Sequence, residues 1–181
     1  NQKAKKYNLD PDLIRAFIQT ESNYKPDAYR AEPKINDASI GLMQVLVKTA
    51  QWQMSDQNIT AQNLYDPNFN LEVGTKYLSY LMGRYPNNLN DAIAAYNAGS
   101  VIKKKDGSGD YINQDYVNKV NRNYAIFKNL GINIGGVVAE AATTITGGSE
   151  ADPNVQPIGL YVMGSIIIVL DIMNVFGRRR S

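Results

Sequence analysis

Glu21 is the carboxyl of this chain best suited to proton transfer, because its helical neighbours are apolar rather than polar. At 100° per residue Ile14, Phe17 and Ile18 form one stripe, and Glu21 falls in the middle of it. A carboxylate held against apolar surface loses water. Its charged form is then disfavoured, and its pKa rises toward the value a general acid needs. Near a helix end the same side chain can instead reach solvent, so position alone leaves both outcomes open. The chain has no cysteine and no histidine. Disulfides, thiolate nucleophiles, Cys-ligated metals, Ser-His triads and most zinc sites are thereby excluded. Acid/base chemistry must fall to Asp, Glu, Tyr or Lys.

Four short motifs surround this carboxyl in sequence order. Glu21-Ser22 comes first, then Gly41-Leu42-Met43-Gln44, then Ala95-Tyr96-Asn97-Ala98-Gly99, and last Tyr116-Val117 with Val120. Each residue taken singly has a plain structural role. Gly41 and Gly99 suit turns. Tyr96 and Tyr116 suit a core whose hydroxyls reach water, Met43 fills gaps, and Ser22 suits a helix end. Together, in this order and spacing, the motifs resemble those of the lytic transglycosylases, the Slt-type enzymes with a goose-lysozyme-like fold. Leu64-Tyr65-Asp66-Pro67, Gly74 and Tyr77-Leu78 follow the same pattern, and the resemblance runs from Leu9 to Leu130.

The resemblance implies a reaction. Glu21 would protonate the glycosidic oxygen between N-acetylmuramic acid and N-acetylglucosamine in peptidoglycan. As a carboxylate it would then accept the proton of the muramoyl C6 hydroxyl, which attacks C1 of the same sugar and leaves a 1,6-anhydro end. One acid/base suffices because the nucleophile is intramolecular, and high effective molarity replaces a positioned water. Ser22 would hold the site's geometry, and Gln44, beside Met43, would line the cleft near the scissile bond. Tyr96 and Asn97 would contact sugar and support Glu21, and Tyr116 would orient it by a hydrogen bond. Gly41, Leu42 and Ala98 complete the expected site; no metal or organic cofactor is implied. The competing chemistry is hydrolysis on the same fold, which needs a second carboxylate. Asp27, Glu32 and Asp37 follow Glu21 and could supply it.

These residues require an all-α frame. Asp10-Pro11 predicts a helix to about Ser22, the Asp as N-cap and the Pro at the first helical position. A second helix follows Gln44 to about Met54, and Asp66-Pro67 opens a third to about Arg84. Asn90 starts a fourth, ended by Gly99, and Gln114 to Asn129 forms a fifth, ended by Gly131. No period-2 strand is evident, and the polar stretches Lys25 to Ser39 and Lys103 to Asn113 read as loops rimming a cleft.

At 181 residues the chain holds one domain, expected over 1–130, and an appendage. Residues 131–157, rich in Gly, Ala and Thr, read as a linker. Residues 158–181 read as a hydrophobic helix with a basic end, Arg178-Arg179-Arg180. Ile158 to Phe176 has roughly the 20 residues that cross a bilayer. The basic end would face the cytoplasm and the catalytic domain the wall; packing against protein subunits is the alternative. Asn1 rather than Met opens the chain, as in a processed or excised piece. The net charge of +2 is too small for a nucleic-acid binder, which shows a concentrated basic face. Peptidoglycan is the expected partner, in the cell envelope facing the periplasm or as a virion component. Two settings fit: a bacteriophage virion part acting in genome ejection, and a subunit of a secretion apparatus. A structural, membrane-associated subunit with a vestigial lytic domain is the non-enzymatic reading.

Overall fold

Side chains that accept hydrogen bonds from exposed helix N–H groups mark where the main helices begin. Asp10 accepts from the Asp12 N–H at 2.8 Å, and Pro11 opens α2 (Pro11–Glu21). Asp66 accepts from the Phe69 N–H at 2.7 Å, and Pro67 opens α5 (Pro67–Arg84). The computed structural model describes residues 2–146, 161–163 and 166–168. The chain divides into two compact units, Asn1–Ala139 and Glu140–Ser181.

The first unit starts with α1 (Gln2–Tyr7), which lies along α5 and joins it through Lys3, Lys6 and Tyr7, all bonded to the Glu72 carboxylate. After α2 come α3 (Val47–Met54), the short α4 (Ala61–Leu64), α5 and α6 (Leu89–Ala98). Asn88, not Asn90, caps α6, accepting from the N–H groups of Asn90 and Asp91. Gly99 ends it at φ 76°, donating to the Ala95 carbonyl at 2.8 Å. The core is filled by Phe17, Ile40, Met43, Leu64, Leu78, Ile93, Val117 and Val120, all wholly buried.

The expectation of an all-α domain needs correction. A three-stranded antiparallel sheet, β1 (Tyr29–Glu32), β2 (Asp37–Ile40) and β3 (Val45–Leu46), stands between α2 and α3. It occupies most of the stretch expected to be loop. Strands of four, four and two residues are too short to display alternation, and β1 is exposed along nearly all its length while β2 is mostly buried. Neither reads as period 2. A 3-10 turn, Pro33–Ile35, joins β1 to β2. The second expected loop carries a bridge between Lys103 and Tyr111, so it too is a hairpin.

The last helix, α7 (Gln114–Thr146), passes through Gly131 instead of stopping there. A helix tolerates glycine at about 1 kcal/mol, and Ala139, Ala141 and Ala142 are strong helix formers just beyond. The first part of the expected linker is therefore helical, and 147–157 lies outside the described residues. In the second unit β4 (Tyr161–Met163) and β5 (Ile166–Ile168) pair antiparallel where a hydrophobic helix was expected. Periodicity cannot separate strand from helix in a continuous apolar run, and β-branched Val162, Ile166, Ile167 and Ile168 favour the strand. The rest of 158–176, with the Arg178–Arg180 end, lies outside the described residues. Among the described residues no helix is long and apolar enough to cross a membrane.

Candidate active site

The end of α2 meets the turn Gly41–Gln44. Glu21 is its last residue and Ser22 its C-cap, whose N–H still reaches the Ile18 carbonyl at 3.1 Å. The Ser22 hydroxyl donates to the Leu42 carbonyl at 2.8 Å and so ties the helix end to the turn Gly41–Gln44. Gly41 and Gln44 in that turn have φ of 75° and 46°. Only glycine fits at 41, because a Cβ there would lie 2.4 Å from the Asn70 amide nitrogen and 2.8 Å from the Leu64 carbonyl.

Asn70 of α5 holds this turn from below. Its side chain is wholly buried, accepts from the Met43 N–H at 2.9 Å, and donates to the carbonyls of Ile40 and Leu64 at 2.8 and 3.0 Å. Met43 is also fully buried, with its sulfur filling the space a Cβ on Gly74 would enter. Met43 therefore acts through its backbone and its packing, not by touching a ligand.

The Glu21 carboxyl is half-buried, and protein crowds closely round it. Burial pushes its pKa up from 4.5 to about 7, against the hydrogen bond from Tyr116 and the positive charges of Arg30 and Lys119, which all pull it down. Desolvation wins because the two cations stand in water, Arg30 paired with Glu32 and Lys119 donating to the Thr20 carbonyl. The Tyr116 hydroxyl donates to Glu21 Oε1 across the whole domain. Burial, then the nearby Glu21 charge, raises the Tyr116 phenol well above its usual range, so it remains a donor. The outcome is a carboxyl poised near neutrality, able to give and to take back a proton.

Tyr96 stands close by without bonding to Glu21. Its hydroxyl donates to the Met43 carbonyl at 3.0 Å, and its ring packs edge-on against Phe17 at 4.7 Å. Burial, and secondarily the Glu21 charge, pushes its pKa well up. Gln44, Tyr96, Asn97, Ala98 and Gly99 line a cleft of about 250 Å³, together with Ile35, Thr49 and Tyr77. Gln44 spends its amide on the carbonyls of Ala28 and Gly41, at 3.2 and 3.1 Å. Asn97 is exposed and accepts from the Asn113 amide at 3.0 Å. Tyr116 thus bonds to Glu21, and Ser22 ties its helix end to Leu42. Gln44, Asn97 and Ala98 line a cleft that Glu21 does not itself line, and Tyr96, which feels the Glu21 charge, connects the two.

Asp37 and Glu32, two of the three carboxylates that next follow Glu21, are engaged elsewhere. Asp37 accepts from the N–H groups of Ala38, Val47 and Lys48 and so caps α3. Glu32 pairs with Arg30 at 2.7 Å, accepts from Ser39, and has its pKa lowered by them, Arg30 foremost. Asp27 is exposed.

Arg30, Lys119 and Asn70 were not among the residues singled out from sequence. Arg30 and Lys119 lie far from Glu21 along the chain and match no motif. Asn70 left a signal: Asn70, Val73, Gly74, Thr75, Leu78 and Leu81 are the buried residues of α5. Of the two polar ones, Thr75 bonds its own helix backbone while Asn70 must look beyond it. A polar residue on such a face must have partners.

Known proteins resemble this chain in sequence and in fold. The Membrane-bound lytic murein transglycosylase C of Yersinia enterocolitica is 35% identical over 56% of this chain and 31% of its own length. Its Haemophilus influenzae namesake is 33% identical over 66% of this chain and 37% of its own. The chain thus spans about a third of the curated relatives it matches. Among solved structures, an inactive variant of the lytic transglycosylase Slt from Pseudomonas aeruginosa has the same fold, with a TM-score of 0.55 and 23% identity over 72% of this chain and 23% of that one. A mostly helical, lysozyme-like domain with a small antiparallel sheet is the shared architecture. The family profile described as Transglycosylase SLT domain matches residues 1–118, and the chain belongs to that family.

Proposed function

We propose that this chain is a peptidoglycan lytic transglycosylase, cleaving the β-1,4 bond from N-acetylmuramic acid to N-acetylglucosamine and forming 1,6-anhydromuramoyl ends. The observation that carries the reading is the Glu21 carboxyl, raised to about 7 by burial and oriented by Tyr116. Near neutral pH it is protonated often enough to give its proton to the leaving oxygen and basic enough to recover one from the C6 hydroxyl. Ser22 and Leu42 hold the helix end against the Gly41 turn. Gln44, Tyr96, Asn97 and Ala98 form the sugar-facing wall. The charges acting on Glu21 are those of two cations, and Glu32 and Asp37 serve Arg30 and α3. This supports intramolecular attack over a hydrolysis that would need a second carboxylate. Mass spectrometry of digested sacculi is expected to show anhydromuramoyl ends; reducing muramic ends would replace this reading with a hydrolytic muramidase.

The relatives named membrane-bound lytic murein transglycosylases support a place in the cell envelope. There the domain would open the wall locally, for phage genome ejection or for assembly of a secretion apparatus.

The pH dependence follows from Glu21. Because the reacting form of the free enzyme is protonated, kcat/KM is expected to fall above about pH 7 as the carboxyl ionises. Tyr116 stabilises the carboxylate, so Tyr116→Phe removes a pKa-lowering hydrogen bond and should move the falling limb to higher pH. A pH–rate profile of both chains measures it. A limb that stays in place, with only the rate reduced, would show that Tyr116 does not bond the reacting carboxyl.

A further inference from the structure

The exposed face of α3 carries the chain's single tryptophan, Trp52, with 53% of its surface open. It is braced despite that exposure. Its indole meets Tyr80 at 4.9 Å and 88°, and Tyr77 at 6.2 Å and 79°, both edge-to-face. Tyr77 and Tyr80, one turn apart on α5, stand nearly parallel at 6.4 Å and 13°. Tyr80 is itself 40% exposed. The cluster does not end at the surface. Tyr77 meets Tyr96 at 5.2 Å, both line the cleft, and so does Thr49, one turn before Trp52 on α3. Aromatic rings therefore lead in two steps from the residue that feels the Glu21 charge to an indole in open solvent. Trp52 does not itself line the cleft, but Thr49 and Tyr77 beside it do, so its half-uncovered indole stands next to the cleft.

We propose that Trp52, held by Tyr77 and Tyr80, is a stacking platform for an N-acetylhexosamine ring of the glycan strand, outside the cleft and remote from the bond that breaks. This rests on the lytic transglycosylase reading of the same site. In a β-1,4-linked hexosamine the ring C–H bonds form an apolar face while hydroxyl and acetamido groups spread round the rim. That face matches a flat, uncharged indole. Trp52 stands one step of 6.2 Å from Tyr77 in the cleft wall, so a strand leaving the cleft past Tyr77 would bring its next ring over Trp52. Long strands gain this contact and short ones do not.

The test uses the whole chain carrying Glu21→Gln, with β-1,4-linked N-acetylglucosamine oligomers as probes. The single tryptophan makes emission a local readout. Hexasaccharide is expected to shift and quench it saturably, and calorimetry of Trp52→Ala in the same background to give about tenfold weaker hexasaccharide binding (about 1.4 kcal/mol). Trp52→Phe, which keeps an aromatic face, should recover most of that loss. Hexasaccharide binding that leaves the emission untouched, or that is equally tight in Trp52→Ala, overturns the platform, as does the absence of any saccharide response. The lytic reading is decided separately by digestion of sacculi with the unaltered chain: digestion with an unresponsive Trp52 sinks only this inference, whereas saccharide-dependent emission without digestion sinks only the activity.

Discussion

Glu21→Gln is expected to cut wall digestion by about 10³- to 10⁴-fold, the loss that follows when the one group acting as acid and base is removed. The amide keeps the size of the side chain and can still accept from Tyr116, but it has no proton to give at the leaving oxygen. The same substitution should stabilise the protein, with a sign that depends on pH. The native carboxyl titrates near 7 and its ordinary value is 4.5, so the folded state favours the protonated form. Below about pH 4.5 both states are protonated and there is no penalty. Between there and about pH 7 the unfolded chain ionises first, and the fold loses stability as pH rises. Above about pH 7 the penalty is complete, at about 3 kcal/mol. The Glu21→Gln chain escapes it. Urea melts of both chains near pH 3.5 and near pH 8 should diverge only in the second. Equal midpoints at pH 8 would mean that the carboxyl is well hydrated, and retained digestion would remove Glu21 from the chemistry altogether.

Asn70→Ala carries the largest structural effect. It strips a wholly buried side chain of three hydrogen bonds, leaving the Met43 N–H and the Ile40 and Leu64 carbonyls without it. Unpaired buried polar groups cost about 1–3 kcal/mol each, partly relieved by relaxation, so a total loss of about 3–5 kcal/mol is expected. The damage is aimed at the site. The Met43 carbonyl anchors the Tyr96 hydroxyl, and Leu42 anchors Ser22 beside Glu21. Activity at temperatures where the variant remains folded should therefore fall as well. An unfolding free energy within about 1 kcal/mol of the unaltered chain's would show that the Gly41 turn holds itself.

Local chemistry determined much of this protein from sequence. Asp10-Pro11 and Asp66-Pro67 place helix starts because a carboxylate and a missing N–H act within one turn. Gly99 marks a helix end for the same short-range reason. Glu21 stood out through the joint spacing of Glu21-Ser22, Gly41–Gln44, Ala95–Gly99 and Tyr116-Val117, since its apolar helical face alone left open whether the carboxyl is dry. What lay beyond the sequence is what depends on distant partners. The strands β1 to β3 are too short to carry a period, and their pairing exists only once the chain turns back on itself. The run after residue 158 has no periodicity with which to choose between helix and strand. Most of all, a pKa near 7 is not a property of Glu21 itself. It arises from the dry surroundings that packing creates, the Tyr116 hydroxyl brought from 95 residues away, and cations at Arg30 and Lys119 too hydrated to cancel the cost of burial. Sequence singled out the carboxyl; only the folded chain removes enough water from around it to raise its pKa.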